Sequence, residues 1–120
     1  MITGVGTDIV EIGKIRKHAR RDDFLKKVFT EKEITYCKSK ESFEKHLATT
    51  FAAKEAIFKA LGTGWLDGKE IEIIRGKSGR PKAILNGTLK KENADSEIMI
   101  SLSYSKDSAI AFAIIKKEKR

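Results

Sequence analysis

One cysteine, Cys37, and one proline, Pro81, are all that a chain of 120 residues contains of either type. A lone thiol makes no internal disulfide, which sets aside the cross-linked secreted scaffolds. Hydrophobic residues at 40% set aside a disordered chain. Aromatic residues amount to 8% and form no series on which successive bases would stack, which weighs against a single-stranded nucleic-acid platform. The longest uninterrupted apolar stretch, residues 109–115, falls far short of the roughly 20 residues of a membrane-spanning helix. Met1 to Gly6 also lacks the basic region and apolar block of a secretory leader, so a reducing cytoplasm is the expected compartment, with no membrane partner.

Charge is what the chain has in excess. Charged residues make up 35%, and 25 Lys and Arg against 17 Asp and Glu leave a net charge of +8. Such a balance favours polyanionic or acidic partners: nucleic acid, phosphorylated cofactors and acidic proteins all qualify. The length suits one domain over residues 1–120, with a single core.

Ile2 to Val5 reads as a short β-branched strand, with Gly6-Thr7-Asp8 as a turn that leaves Asp8 at an element's end. From Glu11 to Arg21, Ile12, Ile15 and Ala19 recur at helical spacing among Lys14, Arg16, Lys17, Arg20 and Arg21, the pattern of a basic amphipathic helix. Asp22 or Asp23 starts a further turn, and Thr30-Glu31-Lys32-Glu33 has capping-box spacing. Ser42 is the expected cap of a long helix, Phe43 to Leu61, which holds no glycine or proline and stops at Gly62. Beyond it, Glu70 to Ile73 and Lys82 to Leu85 form an expected hairpin around Gly76 to Gly79. A short helix is expected over Thr88 to Ala94, and strands over Ile98 to Ser103 and Ser108 to Ile115. The basic tail, Lys116 to Arg120, is expected to fray.

On the long helix Leu47, Phe51, Phe58 and Leu61 share one stripe, and Ala53, Ile57 and Ala60 a second. A third runs through Ala48, Ala52, Glu55, Lys59 and Gly62, so an acid and a lysine share a face of small residues that leaves room for a ligand. Glu55 and Lys59 at i, i+4 form an ordinary surface pair worth about 0.2–0.5 kcal/mol, or else a metal ligand and a phosphate contact. Magnesium takes one or two protein carboxylates and fills its shell with water and phosphate oxygens, so a second acid is wanted. Asp8, after Gly4-Val5-Gly6, is the best candidate, against its plain reading as a turn residue or cap.

Gly62-Thr63-Gly64 offers N–H groups to a phosphate as readily as it stops a helix. His18 and His46 lack the neighbours of a zinc site and read as surface residues. Cys37 reads as an inert thiol in a polar helix, and Trp65 either packs on the core or shields a ligand.

The run Phe51-Ala52-Ala53-Lys54-Glu55-Ala56-Ile57-Phe58-Lys59-Ala60-Leu61-Gly62-Thr63-Gly64, with Gly4-Val5-Gly6-Thr7-Asp8-Ile9-Val10-Glu11, resembles the holo-acyl-carrier-protein synthases, of the 4′-phosphopantetheinyl transferase family. Thr30 with Glu33, Gly79-Arg80-Pro81 and Ser101-Leu102-Ser103 also resemble segments of that family, in the same order. The resemblance implies an α+β fold with a long central helix packed on an antiparallel sheet, assembled as a homotrimer with sites between subunits. It implies transfer of 4′-phosphopantetheine from coenzyme A to a serine of an apo acyl carrier protein, with Mg2+, releasing adenosine 3′,5′-bisphosphate. Asp8 and Glu55 resemble the family's metal ligands, Lys59 its phosphate-contacting lysine, and Gly62, Gly64 and Pro81 positions lining the coenzyme site. Lys14 and Arg21 match basic positions that dock the acidic carrier protein. The serine's proton acceptor stays open between Glu55 and a metal-activated water.

Two positions depart from the family pattern. Tyr104 stands where a histidine often follows Ser-x-Ser, and Thr50 stands where an arginine, an expected coenzyme phosphate contact, usually precedes Phe51; a nearby lysine is the expected substitute. The competing reading is a basic nucleic-acid-binding module built on the Lys14 to Arg21 helix, which predicts binding steeply dependent on salt.

Overall fold

The computed structural model describes residues 1–118. Strand β1 spans Ile2–Glu11 and leads into helices α1 (Ile12–His18), α2 (Asp22–Val28), α3 (Glu31–Lys38) and α4 (Phe43–Leu61). A 3₁₀ turn, Gly68–Glu70, precedes β2 (Ile71–Arg75) and β3 (Pro81–Leu85); α5 (Gly87–Glu92), β4 (Ser96–Tyr104) and β5 (Ser108–Lys117) complete the chain. β1, β5 and β4 form an antiparallel sheet in that order, and β2 pairs with β3 in a second, two-stranded sheet. The architecture is the expected α+β one, with α4 as the central helix.

The pleat of the larger sheet gives it two unlike faces. Gly4, Gly6 and Asp8 on β1 stand opposite Ile115, Ala113 and Ala111 on β5 and share the face that receives α4. Ala52 and Ala56 of α4 and Ala109, Ala111 and Ala113 of β5 are fully buried, so small residues on both sides let helix and sheet approach closely. Ala48 and Ala52 of the stripe that carries Glu55 are therefore closed off by packing, and room for a ligand opens only from Glu55 onward. A Cβ on Gly4 would overlap the Ala60 carbonyl oxygen, and one on Gly6 that of Ala56. Two residues of a strand advance nearly as far as four of a helix, which brings Asp8 to the next turn of α4 after Ala56. The glycines serve this helix contact, and β1 continues through residues 6–8, where a turn was expected. Asp8 is thus a mid-strand residue locked in register opposite Ala111.

Two groups of buried side chains flank α4. Ile57, Ile71, Ile73, Leu89 and Ile115 fill one side, while Ile12, Ile15, Leu25, Phe29, Cys37 and Leu47 join α1–α3 to the helix on the other. Between them lies an ion pair absent from the expectations above. Lys54 is 0% exposed, and its Nζ donates to Glu33 Oε1 at 2.6 Å, Gly68 O at 2.7 Å and Val28 O at 2.9 Å. Glu33 accepts from Thr30 N, which completes the expected capping box, and through Oε2 from Ile73 N at 2.8 Å. One buried pair thus ties α2, α3, α4, the 3₁₀ turn and β2 together.

Gly62 ends α4 in the left-handed region at φ 77°, with Thr63 N bonded to Phe58 O and Gly62 N to Lys59 O, a Schellman stop. Ser42 occupies the cap position without capping by its side chain; its carbonyl instead accepts from His46 N and Nδ1. The expected fraying of the tail is corrected for Lys116 and Lys117, which belong to β5, with Lys117 N bonded to Met1 O at 2.9 Å. Residues 119 and 120 lie outside the described residues.

Candidate active site

Asp8, Glu55 and Lys59 come together where β1 crosses α4. Lys59 Nζ donates to Asp8 Oδ1 at 3.1 Å and to Thr7 O at 3.1 Å, so its acidic partner is Asp8 rather than Glu55, four residues away on its own helix. The Asp8 side chain is only 11% exposed, and its Oδ2 is buried without a hydrogen-bond partner. An orphaned carboxylate oxygen costs free energy unless a cation or donor meets it. Glu55 is half-buried, and burial, reinforced by the charge of Asp8 and opposed by Lys59, raises its pKa above the ordinary carboxylate value. A carboxyl whose ionisation is disfavoured by burial and by a neighbouring acid forms, with that neighbour, a place for a divalent cation. Among the described residues no group of three or more His, Cys, Asp or Glu side chains could hold a metal, so the candidate donor set is this pair, which suits magnesium better than zinc.

Asp8 and Glu55 line a cleft of about 410 Å³ with Glu11, Lys14, Phe51 and Ser108. Lys14 on α1 therefore reaches the same cleft as the carboxylates. Arg21, the other expected docking residue, is exposed at the start of α2 and pairs with Asp23 at 3.2 Å.

The expected coenzyme residues divide. Gly62 and Gly64 follow Lys59 at the exposed end of α4, where Thr63 Oγ1 donates to Gly64 O at 2.8 Å. Trp65 stacks on Phe51 at 5.2 Å and meets Phe58 edge-on at 5.1 Å, so it packs on the core while keeping one side exposed. Pro81 lies apart, in a second cleft of about 180 Å³ with Tyr36, His46, Thr49, Arg75 and Tyr104. His46 is half-buried there, 6.3 Å from the Tyr104 ring, and so is not the surface residue its sequence context implied. His18 is exposed, as expected. Cys37 is fully buried rather than part of a polar surface, and burial pushes its thiol up to about 11, which keeps it inert.

A family model described as the 4′-phosphopantetheinyl transferase superfamily matches residues 4–113. The chain belongs to that superfamily. Among its relatives, the holo-[acyl-carrier-protein] synthase of Clostridium tetani is 45% identical, with 98% of each chain covered. That of Clostridium perfringens is 42% identical over 98% of this chain and 96% of its own. The crystal structure of a holo-(acyl-carrier-protein) synthase from Bacillus anthracis in complex with CoA (3′,5′-ADP) superposes with a TM-score of 0.85 at 31% identity, covering 98% of this chain and 99% of that one. The superfamily's fold is therefore shared along nearly the whole length, and both clefts lie inside the shared part.

Proposed function

We propose that this chain is a magnesium-dependent holo-acyl-carrier-protein synthase, working in the cytoplasm as a homotrimer of single-domain subunits. It moves the 4′-phosphopantetheine group of coenzyme A onto a serine of apo acyl carrier protein. The observation that carries this reading is the meeting of Asp8 and Glu55 in one cleft, with Lys59 bonded to Asp8 Oδ1 and the other Asp8 oxygen left without a protein partner.

In the reaction the serine Oγ attacks the phosphorus on the pantetheine side of the pyrophosphate. A new P–O bond forms there, the bridging P–O bond breaks, adenosine 3′,5′-bisphosphate leaves with the electron pair, and the serine proton passes to Glu55 or to water. Asp8 and Glu55 would hold the Mg2+, which when bound supplies charge neutralisation of the pyrophosphate. The Lys59 ammonium, half exposed beside Asp8, offsets charge on the phosphoryl oxygens. Lys14 of α1 at the cleft wall and the exposed Arg21, which lies beyond the end of α1 at the start of α2, present a basic surface to an acidic carrier protein, so docking and chemistry meet at Lys14.

The trimer is supported by the sheet. Its face away from α4 exposes Val5, Ile9, Met99, Ile110 and Phe112, an apolar surface that a soluble monomer seldom leaves bare. The two clefts also open on different sides of α4: the six residues from Thr49 to Glu55 turn the helix through about 240°. A coenzyme touching both Lys59 and Pro81 is then most simply shared by two copies, each supplying one of the two clefts.

The test is mass spectrometry of an apo carrier protein incubated with coenzyme A, Mg2+ and this protein. A phosphopantetheine adduct on the acceptor serine is expected. Its absence, while a known synthase works in parallel, would refute the assignment.

A further inference from the structure

Arg75 ends β2 at the edge of the second cleft. Its Nη2 donates to Thr49 Oγ1 at 2.7 Å and to Thr50 Oγ1 at 3.1 Å. Both hydroxyls spend their own protons on His46 O, at 3.0 Å and 2.8 Å, so their lone pairs are turned towards the guanidinium. Both threonines are buried, at 3% and 2% exposure. The guanidinium also lies 5.3 Å from the centre of the Tyr36 ring. Arg75 is thus a half-buried cation held from two directions, and it makes no ion pair with a carboxylate of the described residues.

Its guanidinium carries five N–H donors, of which the threonines engage one nitrogen. The cleft beside it has Tyr36, His46, Gly79, Pro81 and Tyr104 among its walls and no acid. His46 Nδ1 is 2.8 Å from Ser42 O, a carbonyl that only accepts, so that nitrogen carries a proton. Lys45 Nζ, 5.4 Å from the Tyr104 ring centre, adds a second cation nearby. A fixed, unneutralised guanidinium in an acid-free cleft with aromatic walls fits a phosphate ester, which it can grip in bidentate fashion.

We propose that Arg75 is a specificity-determining residue that receives the ribose 3′-phosphate of coenzyme A, supplying from β2 the guanidinium that Thr50 does not provide from α4. The inference rests on the transferase reading above and adds a residue to it. Coenzyme A carries two anionic groups. The pyrophosphate belongs with Lys59 and the carboxylate pair, which leaves the dianionic monoester for the other cationic cleft. The short Thr50 side chain serves as the seat of Arg75, so the expected lysine substitute is not needed.

The experiment compares coenzyme A with 3′-dephospho-coenzyme A as donor, at saturating apo carrier protein. The wild type is expected to favour coenzyme A in kcat/KM by about tenfold or more, the scale of a charged hydrogen-bonded contact. Arg75→Gln is expected to bring that ratio close to one through a higher KM for coenzyme A, Arg75→Lys to keep part of it, and Thr50→Arg in the Arg75→Gln background to restore part of it. If Arg75→Gln unfolds, the Arg75→Lys ratio decides: an unchanged ratio overturns the proposal. A wild type indifferent to the 3′-phosphate, or a ratio unmoved in Arg75→Gln, overturns the role of Arg75 while leaving the transferase intact. Wild-type transfer from neither donor overturns both.

Discussion

Gly6 lies so close to Ala56 that a Cβ on it would overlap the Ala56 carbonyl oxygen. That contact sets the distance between β1 and α4, and hence the position of Asp8 relative to Glu55. Gly6→Ala is expected to push strand and helix apart, destabilising the protein by about 1–3 kcal/mol, as overpacked cores do. Turnover should fall further than stability alone explains, because small misplacements of reacting groups cost on the order of 10²-fold. Urea unfolding and a carrier-protein assay on the same preparation check both effects. An unchanged midpoint would show that the backbone contact is not tight.

Lys54→Met removes one half of the buried pair and leaves the buried Glu33 without its cationic partner. Breaking such a pair typically costs about 3–5 kcal/mol, and here the carbonyls of Val28 and Gly68 lose their donor as well. Denaturant unfolding should therefore show a large drop in midpoint. A loss under about 1 kcal/mol, the scale of an exposed pair, would mean that the network holds little.

Which of these features the sequence revealed follows from how local their causes are. α4 was legible in full, because an uninterrupted helical run bounded by Ser42 and Gly62 is a local signal and Gly62 adopts the left-handed stop. The Thr30–Glu33 capping box was legible for the same reason. Asp8 was misplaced at the end of a turn because Gly-Thr-Asp favours a turn locally, whereas pairing with β5 overrides it. Lys54 leaves a local trace in the sequence. It fills the missing step between Phe51 and Phe58 on the stripe that begins at Leu47, a charged residue in an apolar row, and burial there demands a partner. That the partner is Glu33, on another helix, is a tertiary fact. Arg75 carried no trace, since its place beside Thr50 depends on how β2 meets α4.

The raised pKa of Glu55 gives a pH signature. Both folded and unfolded forms are protonated well below the ordinary value of 4.5, so no penalty exists there. As pH rises above that value the unfolded carboxyl ionises first, and the folded state loses stability until its own Glu55 ionises. With metal chelated, the melting temperature of wild type relative to Glu55→Gln should therefore fall with rising pH through this window. Added Mg2+ should recover it for the wild type but not for the variant. Glu55→Gln should also lose most turnover, on the order of 10²-fold or more, while remaining folded. A wild-type minus variant difference that stays flat with pH and with Mg2+ would separate Glu55 from any cation.

The exposed face of the larger sheet yields the last expectation. Ile9 is 67% exposed and stands directly opposite Ile110, itself 46% exposed, with Phe112 two pairs further along β5 on the same face. Burying this surface against other copies is the simplest way to shield it, and closed symmetric assembly is the common solution. Ile9→Lys combined with Ile110→Lys places two like charges side by side on that face without touching the α4 side of the sheet. Sedimentation should show a trimer for the wild type and a monomer for the double variant, with circular dichroism unchanged. If the two clefts serve one coenzyme only across copies, the monomer should also lose transfer activity although Asp8, Glu55, Lys59 and Arg75 are all present. A wild type that sediments as a monomer at concentrations where it is fully active would remove both the trimer and the shared site, and would require one chain to bring its own two clefts to the same coenzyme.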